Sequence, residues 1–163
     1  MNRLVVVSVV LLCVALVACA ASAATVSVGL SPDVKAPTDQ DKKVVDATKT
    51  LFQEKGYRVV EGQADYNVVT SLTQISGEKK FSPLGCLACG IFGAAKQKAS
   101  ATVATEVTDG SGKQVFVNTQ KATSEGSELG GLFESSKKYR GRAIDEALKQ
   151  LYTAFFIQHP ASG

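Results

Sequence analysis

Cys86-Leu87-Ala88-Cys89 is the pair in this chain with the spacing of a dithiol centre. Cys-x-x-Cys is half of a zinc site, and the other half is missing. The chain has four cysteines; Cys13 lies inside an apolar export signal and Cys19 is a candidate for lipid attachment, so no metal site is expected. A redox centre needs its first thiol at a helix N-terminus following a strand, where the dipole lowers its pKa. Here Ser82-Pro83-Leu84-Gly85 precedes the motif and Gly90-Ile91-Phe92-Gly93 follows it, which is glycine-punctuated loop. A local disulfide between Cys86 and Cys89 in an oxidising compartment is therefore the leading reading. So small a ring contributes at most roughly 2 kcal/mol, and stiffens the loop more than it supports the fold. A periplasmic thiol-disulfide function for the same pair is the alternative.

Other reactive groups are sparse. The single histidine, His159, sits beside Pro160 near the end of the chain, where fraying is expected, and is poorly placed as a base. Asp145 and Glu146 adjoin on a helix, so their side chains diverge into solvent. Asp65 reads as a turn residue before a strand. No glycine-rich loop followed by Lys-Ser/Thr offers a phosphate cradle. These residues predict no catalytic centre, no cofactor, no metal and no small-molecule substrate, hence a protein that is not an enzyme.

The segment holding the cysteines is unusual in another way. Phe81, Leu84, Leu87, Ile91 and Phe92 crowd into uncharged sequence between Lys79-Lys80 and Lys96-Gln97-Lys98. Ordinary surface loops are polar. The loop 81–95 either tucks onto the open face of a sheet or contacts a partner subunit or a membrane. Leu129, Leu132 and Phe133 form a second apolar stretch for the same surface. Concentrated apolar exposure marks interaction sites, and the flanking lysines would suit anionic headgroups.

Where the chain works is written at its start. Arg3 and the apolar run Leu4 to Val17 form a secretory signal, too short to span a bilayer. Two processing readings stay open. Ala21-Ser22-Ala23 fits cleavage before Ala24, giving a signal of 1–23 and a soluble protein. Leu16-Val17-Ala18-Cys19 fits a lipobox cleaved before Cys19, and is favoured because Cys19 directly follows a small residue after the apolar core. Ala20 then suits an outer-membrane destination facing the periplasm. Lipid chains contribute ~0.8 kcal/mol per buried methylene, enough for several together to anchor a protein.

The elements that must position these segments follow from periodicity. Val26, Val28 and Leu30 alternate as in a half-buried strand. Thr38 caps a helix whose positions Val44, Val45, Thr48, Leu51 and Phe52 share a face, ending at Gly56. Tyr57 to Glu61 is a short strand. After a Gly62-Gln63 turn, Asp65 to Ser76 is a longer one, apolar on both faces and so placed mid-sheet. Ala101 to Val107 and Lys113 to Ala122 form a hairpin about Asp109-Gly110-Ser111-Gly112. Ile144, Ala147, Leu148, Leu151, Tyr152 and Phe155 mark a final helix from Gly141, stopped by Pro160. The expected architecture is α+β, a mixed four- to five-stranded sheet in the order β-α-β-β-β-β-α. One right-handed crossover is followed by a meander, with two helices packed on one face.

Size and charge agree with one αβ domain over 24–163. The 163 residues carry 18 Lys+Arg against 15 Asp+Glu, and 45% are hydrophobic. That balance excludes a disordered chain and argues against nucleic-acid partners.

Asp46 to Thr73, with Glu54-Lys55-Gly56-Tyr57-Arg58-Val59-Val60 and Ala64-Asp65-Tyr66-Asn67-Val68-Val69, resembles a broad group of bacterial envelope proteins. The group includes the periplasmic domain of the curli secretion channel CsgG, the lipoprotein activators of penicillin-binding proteins and the N-terminal domain of TolB. Thr102 to Phe116 and the helix from Gly141 to Phe155 follow in similar order. The resemblance covers about two thirds of the exported chain. It implies a non-catalytic αβ domain, often lipid-anchored, that binds other envelope proteins or self-associates, and it supplies no catalytic residue. The Cys-x-x-Cys loop departs from the group, and the chain lacks the long membrane hairpins of the pore former. A small accessory lipoprotein is the implied role.

Overall fold

The computed structural model describes residues 23–81, 95–128 and 137–161. In chain order these form β1 (Thr25–Leu30), α1 (Asp39–Glu54), β2 (Arg58–Val59), β3 (Tyr66–Phe81), β4 (Ala95–Asp109), β5 (Gln114–Glu128) and α2 (Lys137–Gln158). The strands make a five-stranded sheet in the order β2-β1-β3-β4-β5. Strand β1 is parallel to both β2 and β3, whereas β3, β4 and β5 are antiparallel. The expected α+β class, element order and central position of the third strand are all present.

The meander begins later than the sequence suggested. β2 pairs with only one side of β1, and β3 crosses to the other side, running parallel to β1. The physical reason is length: a two-residue β2 offers almost no ladder to the sixteen-residue β3. The strands also outrun their expected ends. In β4 the apolar alternation of residues 101–107 fades into Lys96-Gln97-Lys98, yet Gln97 and Ala99 are buried and the ladder continues to Ala95. A bulge between Leu72 and Gln74 reverses the parity of β3. Leu72 and Ile75 therefore both reach the core, although strict alternation puts them on opposite faces.

Both helices cover one face. In α1 the Thr38 hydroxyl accepts from the Asp41 amide while the Asp41 carboxylate accepts from the Thr38 amide, a reciprocal capping box. Gly56 follows the helix with φ of 88°, where a side chain would be strained. Of the expected positions in α1, Val44, Thr48, Leu51 and Phe52 are buried and Val45 is only half-buried; Ile144, Ala147, Leu148, Leu151, Tyr152 and Phe155 of α2 are buried. Helix α2 starts at Lys137, a turn before Gly141, because Tyr139 packs down on the sheet.

The centre of the core is aromatic. Phe52 meets Tyr57, Tyr152 and Phe156 edge to face at centroid separations of 5.2, 5.0 and 5.0 Å. Beside it lies a buried group of hydroxyls. Tyr152 and Thr105 share a 2.7 Å hydrogen bond, and Thr105 also donates to the Val69 carbonyl. Thr48 donates to Val44 and Thr70 to Ala104. Burial pushes the Tyr152 phenol well above the ordinary tyrosine range, partly offset by Thr105, Thr70 and Thr48. Among the described residues, no helix is long and apolar enough to cross a membrane.

Candidate interaction surface

The register of the sheet sorts the molecule into two ends. At the near end the chain leaves its N-terminal segment at Ala24, whose amide donates to the Ala161 carbonyl and whose carbonyl accepts from Arg58. One oxygen of the Asp65 carboxylate accepts from both the amide and the hydroxyl of Thr25, each at 2.7 Å. Those bonds hold the Asp65 carboxyl below the usual carboxylate range. Asp65 is thus a structural pin on the first strand.

His159 belongs to this end. Contrary to the fraying expected, its ring stacks on Phe155 at 4.9 Å and meets Tyr66 at 5.6 Å, with Nδ1 3.5 Å from the Tyr66 hydroxyl. Tyr57 donates to the His159 carbonyl, and burial pushes the Tyr57 phenol up to about 12. The sequence missed this because the partners come from β3 and from the turn after α1, far away along the chain. Asp145 and Glu146 are exposed as expected, although local burial raises the Asp145 carboxyl against the pull of Lys149. Among the described residues no group of His, Cys, Asp and Glu could hold a metal ion.

The far end is built by β3, β4, β5 and the start of α2. Phe81 is paired with Ala95, and Ala95 with Glu128, so β3 and β5 end, and β4 begins, at one level. At ~3.3 Å per residue, a fifteen-residue strand sets this level about 50 Å from Tyr66 and Asp109. Two glycines seat α2 there. A Cβ on Gly126 would lie 2.5 Å from the Tyr139 ring, and one on Gly77 would lie 3.2 Å from Nε of Arg140. Neither glycine carries an apolar signal, so sequence periodicity passes over both.

Cations gather at the same end. The first turns of α2 hold Lys137, Lys138, Arg140 and Arg142 with no acid in the first turn, an arrangement the helix dipole disfavours. On the open face Lys98 is neutralised by Glu125 at 2.5 Å, a mostly exposed pair of small energetic weight.

The residues assigned to the contact surface by sequence, Leu84, Leu87, Ile91, Phe92, Leu129, Leu132 and Phe133, lie outside the described residues, as do Cys19, Cys86 and Cys89. Phe81 ends β3.

No family model and no curated protein matches the chain. Solved structures do. A chain assigned as a lipoprotein from Caulobacter crescentus is 9% identical, with a TM-score of 0.51 over 80% of this chain and 89% of that one. The minor lipoprotein from Acinetobacter baumannii is 11% identical, with a TM-score of 0.47 over 85% and 97%. Rare lipoprotein B from Shewanella oneidensis is 14% identical, with a TM-score of 0.44 over 82% and 95%. At such identities what is shared is the fold, and the Caulobacter protein is the one of these three that carries that likeness.

Proposed function

We propose that this chain is an exported, non-catalytic cell-envelope lipoprotein, anchored through Cys19, that works by binding other envelope proteins. Its contact surface is the far end, where the segments carrying Leu84, Leu87, Ile91 and Phe92 and carrying Leu129, Leu132 and Phe133 begin and end. The observation that carries this reading is the Phe81, Ala95, Glu128 register. It sets the bases of two apolar segments side by side, at the opposite end of the sheet from Ala24. The lipobox-like Leu16-Val17-Ala18-Cys19 and the lipoprotein name of the Caulobacter relative support the anchor. Kinship with the curli-channel, penicillin-binding-protein-activator and TolB N-terminal-domain group rests on the pattern of residues 46–73, and outer-membrane residence on Ala20.

The intact mass of the natively processed protein tests the anchor. Lipidated Cys19 as first residue is the expected product, and a chain beginning at unmodified Ala24 would refute it. A two-dalton gain on reduction is expected if Cys86 and Cys89 are joined. Replacing both by serine separates the reading from thiol-disulfide function: partner binding should survive with a modest loss of stability. Complete loss of function in a folded double variant would favour the redox alternative.

A further inference from the structure

We infer that the free edge of β5 is a self-complementary docking strand, and that its partner is a second copy of this chain paired antiparallel about Thr123. This inference does not rest on the apolar far end and concerns a different surface. Among the described residues strand β5 pairs with β4 alone and closes the sheet on the other side, leaving a fifteen-residue edge. Long edges invite strand addition and are blunted by proline, shortness, bulges or charged side chains; β5 has no proline and is long, its bulge lies at its start beside Phe116, and its edge charges are Lys121 and Glu125.

Which amides point outward follows from one hydrogen bond. The Thr119 amide donates to its neighbour Asn118 Oδ1 at 2.8 Å and so faces away from β4. In an antiparallel ladder the direction alternates by residue. Lys121, Thr123 and Glu125 therefore also turn their amide and carbonyl to the free edge, with Lys121, Thr123 and Glu125 exposed. The space above this stretch is open: a groove of about 580 Å³ runs between Thr123, Ser124 and Glu125 and the Arg142 to Gln150 side of α2.

Charge then selects the register. Outward residues must pair with outward residues, so a two-fold pairing sets Lys121 against Lys121, Thr123, Glu125 or Ser127 of the second copy. Pairing on Lys121 itself places like charges together. Pairing about Thr123 sets Lys121 opposite Glu125 twice by symmetry, with the β-branched Thr123 meeting its equivalent on the axis. Among the described residues Lys121 forms no ion pair, whereas Glu125 already meets Lys98 and would bridge both cations. Opposite charges at directly facing positions favour a pairing and like charges oppose it. The result is an isologous dimer with a continuous ten-stranded sheet.

Sedimentation equilibrium of the natively processed protein, in density-matched detergent, tests this. The expected mass is that of a dimer, with Lys121→Glu and Glu125→Lys each weakening association at least tenfold. A one-to-one mixture of those two variants should recover the dimer, because each pairs its reversed charge with the other. Thr123→Pro removes an outward amide without touching the β4 ladder, and should give a folded monomer by circular dichroism. A monomer at every concentration would overturn the inference. So would a dimer indifferent to both reversals and to Thr123→Pro, or a mixture that fails to recover.

Discussion

At the residue scale, stability concentrates in a few side chains with several partners each. Phe52 is fully buried and touches four aromatic rings, so Phe52→Ala should cost about 3–5 kcal/mol in urea unfolding. Tyr152→Phe should cost only about 1 kcal/mol. Thr105, Thr70 and Thr48 each keep a backbone carbonyl when the phenol is removed, so no buried donor is orphaned. Two groups set opposite pH limits. The Asp65 carboxyl is depressed in the folded state, so its contribution is present above the ordinary aspartate range, near 3.9, and lost as pH falls through the folded value. Asp65→Asn should therefore melt earlier than the parent at pH 7 and converge with it in acid. The Tyr57 phenol is raised from 10.0 to about 12, so its contribution is complete below pH 10 and lost as pH rises toward 12. Tyr57→Phe should flatten the alkaline limb of the melting profile. The buried positions of both helices were legible from spacing. The Tyr139 and Gly126 contact was not, since a glycine in a strand signals only weakness until the ring that fills its space is known.

Among elements, the helices were the most legible and the sheet the least. A helix repeats its apolar face over many residues, so α1 and α2 announce themselves. The far halves of β3, β4 and β5 carry Gly77, Glu78, Gln97, Ser124 and Gly126, residues whose strand placement comes from their neighbours in the ladder. The bulge at Thr73 and the placement of β2 beyond β1 are likewise decided by tertiary pairing. Two substitutions test the elements separately. Thr38→Ala removes the capping hydroxyl and should lower stability by about 1 kcal/mol, leaving the rest of the core unaltered. Gly126→Ala forces the Tyr139 ring to move and should loosen the start of α2, read as faster amide exchange there than at Leu151.

For the whole molecule, the proposed function rests on the distance between the two ends of the sheet. The near end ties Ala24, Asp65, Tyr57 and His159 together, so whatever precedes Ala24 joins a well-braced site. The far end, about 50 Å off, holds the cations at the start of α2 and the strand ends that bound the two apolar segments. The apolar segments were legible as compositions, and the common level of the strand ends that bound them was not, because it follows from the register of three long strands. Photo-crosslinking in intact cells discriminates most directly, with the reactive group placed singly at Leu87, Leu132, Gln63 or Gly110. Adducts of one defined mass from residues 87 and 132, absent from 63 and 110, are the predicted result. Equal labelling from all four positions, or adducts from 63 and 110 alone, would contradict the assignment of the far end as the contact surface.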